Sequence, residues 1–181
     1  DAPRVHSDKS SNVLIAFEQD YGDVERVFAE APHVFSLSLK QHRGGAHPLE
    51  GRGVVARSDT VDDRLTVWTS TQMSHEVCAV LVKLLGSDED HVRVVAPEVG
   101  GGFGAKYLCY AEEVVIALAA KMLDRPVKWI EDRREHFTSS IQERDQYWDV
   151  EVATDGDGKL LGVRGGMIHD HGAYTPQGIN L

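Results

Sequence analysis

Hydrophobic spacing changes repeatedly along this chain, and each change predicts an element. Val13–Phe17 is a short apolar run that reads as a strand. Val24, Val27 and Phe28 recur at helical spacing behind Asp23, a helix-capping residue type, and Pro32 stops them. Phe35, Leu37 and Leu39 alternate with polar residues over 35–40, which predicts a strand with one wet face. Gly53–Arg57 and Leu65–Thr69 read as a hairpin across Asp59–Arg64. Ser74–Leu85 follows as a helix closed by Gly86. Val92–Val95 is a strand, and Ala111–Leu123 is the longest helix, apolar nearly all round and therefore expected to be buried. Asp124-Arg125-Pro126 ends it, and Val127–Ile130 returns as a strand. Tyr147–Thr154 and Leu160–Ile168 form a second hairpin around Asp155-Gly156-Asp157-Gly158. Mixed hairpins and helices predict an α+β fold, a mixed β-sheet packed against two or three helices, rather than a strictly alternating α/β one.

The polar, irregular residues 1–12 are expected to be a linker from an upstream domain, with the domain proper at 13–181. A chain that begins Asp1-Ala2-Pro3, and stops at Leu181 with no helix cap or polar tail, reads as an excised piece truncated at its C-terminal end. The net charge of −10 is scattered, which argues against nucleic acid or an anionic membrane as a partner. No apolar run reaches the length of a membrane span, and no signal-peptide pattern opens the chain, so a cytoplasmic location is expected. Cys78 and Cys109 lie in apolar helical patterns and read as buried thiols in a reducing compartment. Neither belongs to a C-x-x-C pair, which speaks against an iron–sulfur or zinc site on the chain itself.

One stretch departs from this ordinary composition. In Val99-Gly100-Gly101-Gly102-Phe103-Gly104-Ala105-Lys106, four glycines flank one bulky aromatic, between a strand and a helical pattern that opens near Tyr107. Glycine there suits positive φ or a ligand that touches bare main chain, and a strand–loop–helix passage aims N–H donors at one point. Gly100-x-Gly102-x-x-Ala105 formally meets the dinucleotide fingerprint, with Glu131 or Asp132 as the ribose-binding acid. Against that, Ala96–Val99 separate the loop from its strand, and Phe103 stands where a pyrophosphate would approach. A plain packing loop is the third reading. Nearby, Gln72 ends Thr69-Ser70-Thr71-Gln72 and offers both a donor and an acceptor, though by itself it reads as a helix cap or a solvated amide. Glu50 and Arg52, in His47-Pro48-Leu49-Glu50-Gly51-Arg52, read as a local ion pair.

Taken in order, these motifs carry a resemblance. Pro48-Leu49-Glu50-x-Arg52-Gly53, Ser70-Thr71-Gln72, Arg93-Val94-Val95-Ala96-Pro97-Glu98-Val99-Gly100-Gly101-Gly102-Phe103-Gly104-x-Lys106, Arg125-Pro126-Val127-Lys128-Trp129, Arg144-Asp145-Gln146 and Asp170-x-Gly172-Ala173-Tyr174 follow one another. From about Val13 to Tyr174 the chain resembles the molybdenum-binding large subunit of the xanthine dehydrogenase/aldehyde oxidase/carbon monoxide dehydrogenase family. The resemblance implies one molybdopterin-binding half of a larger subunit. It implies a molybdenum–molybdopterin cofactor in the complete subunit, with 2Fe-2S and FAD on partner chains or domains. Gln72 is implied to reach toward the metal's apical oxo ligand. The Gly100, Gly101, Gly102, Phe103 and Gly104 backbone is implied to line the pterin, with the Phe103 and Gly104 amides facing the same oxo group. The resemblance implies no direct ligation of the metal by a protein side chain, and Phe103 is expected to be a wall that excludes water. Lys106 is read either as a support for the loop or a distant phosphate, or as a solvated lysine at a helix start.

Purine-oxidising members carry glutamate where this chain has Tyr107, while Tyr110, Glu112 and Glu113 complete a pattern like the carbon monoxide dehydrogenase-type branch. Xanthine is therefore not the expected substrate. The family's general base, a glutamate, and its substrate-side loop are expected beyond Leu181. His169 and His171 flank Asp170 at a strand end with no third ligand evident, and read as structural or solvated, whereas His42, His47, His75 and His136 are dispersed. Asp132-Arg133-Arg134-Glu135 with Arg144-Asp145 reads as a polar ion-pair cluster that braces the lobe. The expected activity is oxidation of a small aldehyde, N-heterocycle or related carbon centre with water as the oxygen source. A cofactor-free scaffold and an NAD-binding oxidoreductase domain are the alternatives.

Overall fold

The computed structural model describes residues 3–174, so the expected truncation at Leu181 lies outside the described residues. In chain order the elements are α1 (Val24–Glu30), β1 (His33–Gly45), β2 (Gly53–Asp59), β3 (Arg64–Thr69), α2 (Ser74–Leu85), a 3-10 turn (Glu89–His91), β4 (Val92–Val95), α3 (Ala111–Leu123), β5 (Val127–Ile130), α4 (Arg133–Ser139), β6 (Gln142–Thr154) and β7 (Leu160–His169). The fold is α+β, with two sheets and four α-helices among the described residues where the sequence predicts two or three. The chain divides into two compact units, one from Gly44 to Glu143 and one made of the segments before and after it.

The 44–143 unit is built on a four-stranded sheet in the order β4-β3-β2-β5. The predicted β2–β3 hairpin forms, antiparallel, with Ala56 opposite Val67, and β4 joins β3 in parallel. Period-two alternation sends Val54, Ala56, Leu65, Val67 and Val92 to one face, where α2 supplies Val77 and Leu81 and α3 supplies Ala117 and Ala120. Burying such side chains contributes roughly 1.5–3 kcal/mol for each Val or Leu. Gly86 ends α2 at φ 61, the left-handed conformation that stops a helix cheaply only at glycine.

In the remaining unit the order is β1-β6-β7, and α1 packs its Val27–Phe28 side against Gly162 of β7. Asp23 caps α1 through the Arg26 amide, as its position predicts.

Four expectations are corrected. Val13–Phe17 forms no strand: its apolar side chains are exposed and no backbone among the described residues supplies a ladder. The strand expected over 35–40 runs from His33 to Gly45, and Phe35, Leu37 and Leu39 are as exposed as the polar face, since no described layer covers them. Helix α3 is not buried all round. Ala117 and Ala120 face the sheet, while Val115, Leu118, Met122 and Leu123 are exposed. The helix after the glycine run opens at Ala111 and not near Tyr107, because residues 103–108 turn back on themselves first. Cys109 consequently precedes α3 instead of lying within it.

Candidate functional site

The glycine run follows β4, and three of its four residues from 101 to 104 have positive φ. Gly101 stands at φ 92, Phe103 at φ 51 and Gly104 at φ 92. A phenylalanine in the left-handed region costs about 1 kcal/mol or more, so the surroundings must hold it there. They do so through Ala105 N–H on Gly102 O at 2.9 Å, Tyr107 N–H on Gly104 O at 3.1 Å, and the Tyr110 hydroxyl on Ala105 O at 2.5 Å. The Phe103 ring is 74% exposed, which makes it a projecting flap over Gly101 and not a packed wall. No helix begins at the loop, so the helix-dipole part of the anion-cradle reading falls. The dinucleotide reading loses its tight strand-to-helix turn for the same reason.

Gln72 comes to this loop from the end of β3. Its backbone N–H donates to Lys106 O at 2.9 Å, and the Thr71 hydroxyl reaches the same carbonyl at 3.3 Å. Its side-chain Oε1 accepts the N–H groups of Gly104 (3.1 Å) and Lys106 (3.3 Å). Two backbone donors fix which end of the carboxamide is oxygen, so Nε2, unpartnered among the described residues and carried on an exposed residue, is what Gln72 has left to offer. The Gly104 amide expected to face a ligand thus donates to Gln72. A Cβ on Gly102 would run into the Gln72 carboxamide, which explains glycine there.

Glu50 does not pair with Arg52, contrary to the local ion pair expected between them. Its Oε2 accepts the Gly100 N–H at 2.7 Å and the Lys106 ammonium at 2.5 Å. Burial pushes the Glu50 carboxyl up, but the Lys106 and Gly100 bonds outweigh it and hold it below the usual range. Lys106 is buried, not solvated at a helix start.

Arg52 turns the other way. Its guanidinium binds Glu131 Oε1 through Nε (2.8 Å) and Nη2 (2.6 Å), its backbone N–H binds Glu131 Oε2 at 2.8 Å, and Nη1 reaches Glu112 at 3.2 Å. The fork stacks 3.8 Å from the Tyr110 ring centroid. His136 of α4 is fully buried between Glu131 Oε2 (Nδ1, 2.8 Å) and Ala46 O (Nε2, 3.1 Å). Helix α4 was not predicted, because 133–139 shows no apolar period. Its one sequence signal is the Asp132-x-x-Glu135 capping box, which the ion-pair reading absorbed. Arg133 spends itself on the carbonyls of Pro48 (2.8 Å) and Leu49 (2.7 Å). Helix α4 therefore fixes the 46–52 strap that carries Glu50 to the glycine loop.

Elsewhere, Glu113 accepts the Tyr110 N–H at 2.6 Å and the Thr69 hydroxyl at 3.1 Å, and burial raises its carboxyl despite those bonds. The Cys109 thiol is pushed up to about 12, chiefly by burial and then by Glu113 and Glu76. The His169 and His171 rings stack at 4.0 Å, with His171 lowered by burial and by His169. No group of three or more potential metal ligands occurs among the described residues. In the unit that holds them, Arg43 bridges Asp145 and Asp170, each at 2.8 Å. A cleft of about 330 Å³ lies on the face of the four-stranded sheet opposite α2 and α3, lined by Arg57, Arg64, Arg93 and Trp68 among others, and shares no residue with the loop.

Comparison with known proteins fits this geometry to a class. The molybdopterin cofactor-binding domain family matches residues 5–181, and the chain belongs to that family. It is 39% identical over 172 residues to the nicotine 6-hydroxylase large subunit of Paenarthrobacter nicotinovorans, covering 95% of this chain and 21% of that one. It is 40% identical over 155 residues to the carbon monoxide dehydrogenase large chain of Hydrogenophaga pseudoflava, covering 86% and 19%. Among solved structures, quinoline 2-oxidoreductase from Pseudomonas putida 86 superposes with a TM-score of 0.71 at 36% identity, over 82% of this chain and 19% of that one. The chain spans about a fifth of the length of the curated relatives it matches. No helix among the described residues is long and apolar enough to cross a membrane.

Proposed function

We propose that this chain forms one wall of the cofactor site in the large subunit of a molybdenum hydroxylase. The observation that carries the reading is the paired arrangement of Gln72 and the glycine loop. Donors on this wall are neutral, a carboxamide Nε2 and loop backbone, and the one lysine in the loop is buried against Glu50. Such a set fits a bulky, anionic, sulfur- and oxygen-rich group better than a charged clamp, since fixed neutral dipoles stabilise without displacing a ligand. When bound, molybdenum–molybdopterin supplies the two-electron oxidation and oxygen transfer. The chain's own residues orient and shield: Gln72 presents its N–H₂, the glycines let main chain approach closely, and exposed Phe103 is free to cover what lies beside it. Gly100, Gly101, Gly102, Phe103 and Gly104 are the proposed pterin-lining residues.

In this proposal residues 1–12 are a linker and 13–181 the first molybdopterin-binding domain. The general base is a glutamate outside these 181 residues, and 2Fe-2S and FAD sit on partner chains or domains in the cytoplasm. A relative at 40% identity is named as subunit gamma of a 6-hydroxypseudooxynicotine dehydrogenase complex, which supports a multi-subunit setting. The substrate class is a small aldehyde, N-heterocycle or related carbon centre. Metal analysis, together with fluorescence of the released, oxidised pterin, tests the reading. The whole enzyme carrying this chain is expected to hold both, and the 181 residues alone to hold little. Absence of molybdenum and pterin from the whole enzyme would instead make the chain a cofactor-free scaffold.

A further inference from the structure

We infer that Glu50 and Lys106 are a positioning pair, which staples the glycine loop in the geometry that turns the Gln72 carboxamide outward with its donor exposed. One carboxylate oxygen of Glu50 holds both ends of the loop, the Gly100 N–H at its start and the Lys106 ammonium at its close. Lys106 is the joint between two acceptors. Its side chain is wholly buried on Glu50, while its backbone N–H donates to Gln72 Oε1 and its carbonyl accepts from Gln72 N–H and the Thr71 hydroxyl. Moving the Lys106 backbone therefore moves the bonds that orient Gln72, although Glu50 itself never touches Gln72 in the bonds described. Glycine at position 100 is part of the same device, because a Cβ there would collide with the Glu50 Cβ at 2.6 Å.

The pair is unequal. The Lys106 side chain is 0% exposed and the Glu50 side chain 42% exposed. If Glu50 is lost, a buried ammonium is stranded; if Lys106 is lost, the carboxylate can still be hydrated. The strap under Glu50 is itself clamped by Arg133 and His136 of α4, so the carboxylate arrives at a set position. By neutralising Lys106 the pair also keeps this wall free of net charge. This inference rests on the functional reading above, and its test separates the two.

The test is hydrogen exchange, resolved to single amides, on the whole enzyme, with melting temperature and pterin content measured on the same samples. Glu50→Met, which takes the acceptor away from both donors, is expected to lower the melting temperature and speed exchange at Gly100, Gly104 and Lys106 by about ten-fold or more. The double variant Glu50→Met/Lys106→Met removes the stranded charge as well. It is expected to recover the melting temperature while the three amides stay fast and pterin content falls. A role in bulk stability alone would restore the Gly104 and Lys106 amides along with the melting temperature. Wild-type protection at those two amides in the double variant overturns the pair's role. Fast amides with undiminished pterin count for the pair and against placing the cofactor at this loop.

Discussion

Gln72 Oε1 accepts the Gly104 amide at 3.1 Å across 32 residues of sequence, tying the end of β3 to the left-handed turns of the glycine loop. The same side chain thus has an inward acceptor that builds the loop and an outward donor that the loop does not use. These two roles separate by substitution. Gln72→Glu keeps the acceptor and replaces the donor with a carboxylate, so Gly104 and Lys106 amide protection should persist while turnover of the whole enzyme falls, by roughly 10²-fold if the donor matches a preorganised electrostatic contact. Gln72→Ala should lose both. Unchanged kinetics in Gln72→Glu would remove Gln72 from the cofactor wall.

Arg52 and Glu131 answer to stability more than to chemistry. Glu131→Ala leaves the Arg52 guanidinium, 3% exposed, with only the longer contact to half-buried Glu112 as its ion pair and takes the Nδ1 partner from His136, a loss of about 3 kcal/mol. Arg52→Lys is no conservative change, because a single ammonium cannot reproduce the fork on Glu131 or the stack on Tyr110. Chemical denaturation of each variant measures both. A loss under 1 kcal/mol for Glu131→Ala would show that solvent reaches the pair.

The two buried acids titrate in opposite senses. At Glu131, burial pushes the carboxyl up, but the Arg52 and His136 bonds prevail and lower it. Its stabilising contribution is complete above the unfolded carboxylate value and is lost as pH falls through the lowered folded one. Glu113 is raised by burial, so ionising it is disfavoured in the fold, and stability is lost as pH rises through its folded value. Glu113→Gln should therefore cost little at neutral pH, and Glu113→Leu, which strands the Tyr110 N–H and the Thr69 hydroxyl, about 1–3 kcal/mol. Equal losses for the two variants would contradict this.

Cys109 should be nearly inert in the folded enzyme. A thiol pushed up to about 12 is almost wholly protonated at pH 8, and only the thiolate attacks a disulfide reagent. Thiol titration before and after denaturation checks it. Rapid labelling of Cys109 in the native state would mean that the 107–110 segment opens.

Local signals were legible in the sequence and distant pairings were not. Helix α2 ends where Gly86 predicts, and α3 spans Ala111–Leu123 as its apolar run and the following Asp124-Arg125-Pro126 indicate. The glycine run and Gln72 were picked out as a pair, and the fold brings them within hydrogen-bond distance. What holds them stayed hidden. Glu50 meets Lys106 from 56 residues away, and Arg52 meets Glu131 from 79, separations at which no periodicity carries information. In the sequence Glu50 and Arg52 look like each other's partners; in the fold the strap sends them in opposite directions. Helix α4 was missed because its job is polar: it clamps carbonyls with Arg133 and His136, so no apolar face marks it. Val13–Phe17 shows the reverse error, apolar residues without a backbone partner.

Hydrogen exchange across residues 98–108 reports on whether the glycine loop and Gln72 face the cofactor. It compares the whole enzyme loaded with molybdopterin against the same enzyme produced without the pterin. Loading is expected to slow exchange at Gly100–Gly104 by about ten-fold or more, since a bound group both shields these amides and damps opening of the loop. Identical exchange there in the two forms, with protection appearing elsewhere on the enzyme, would contradict this placement.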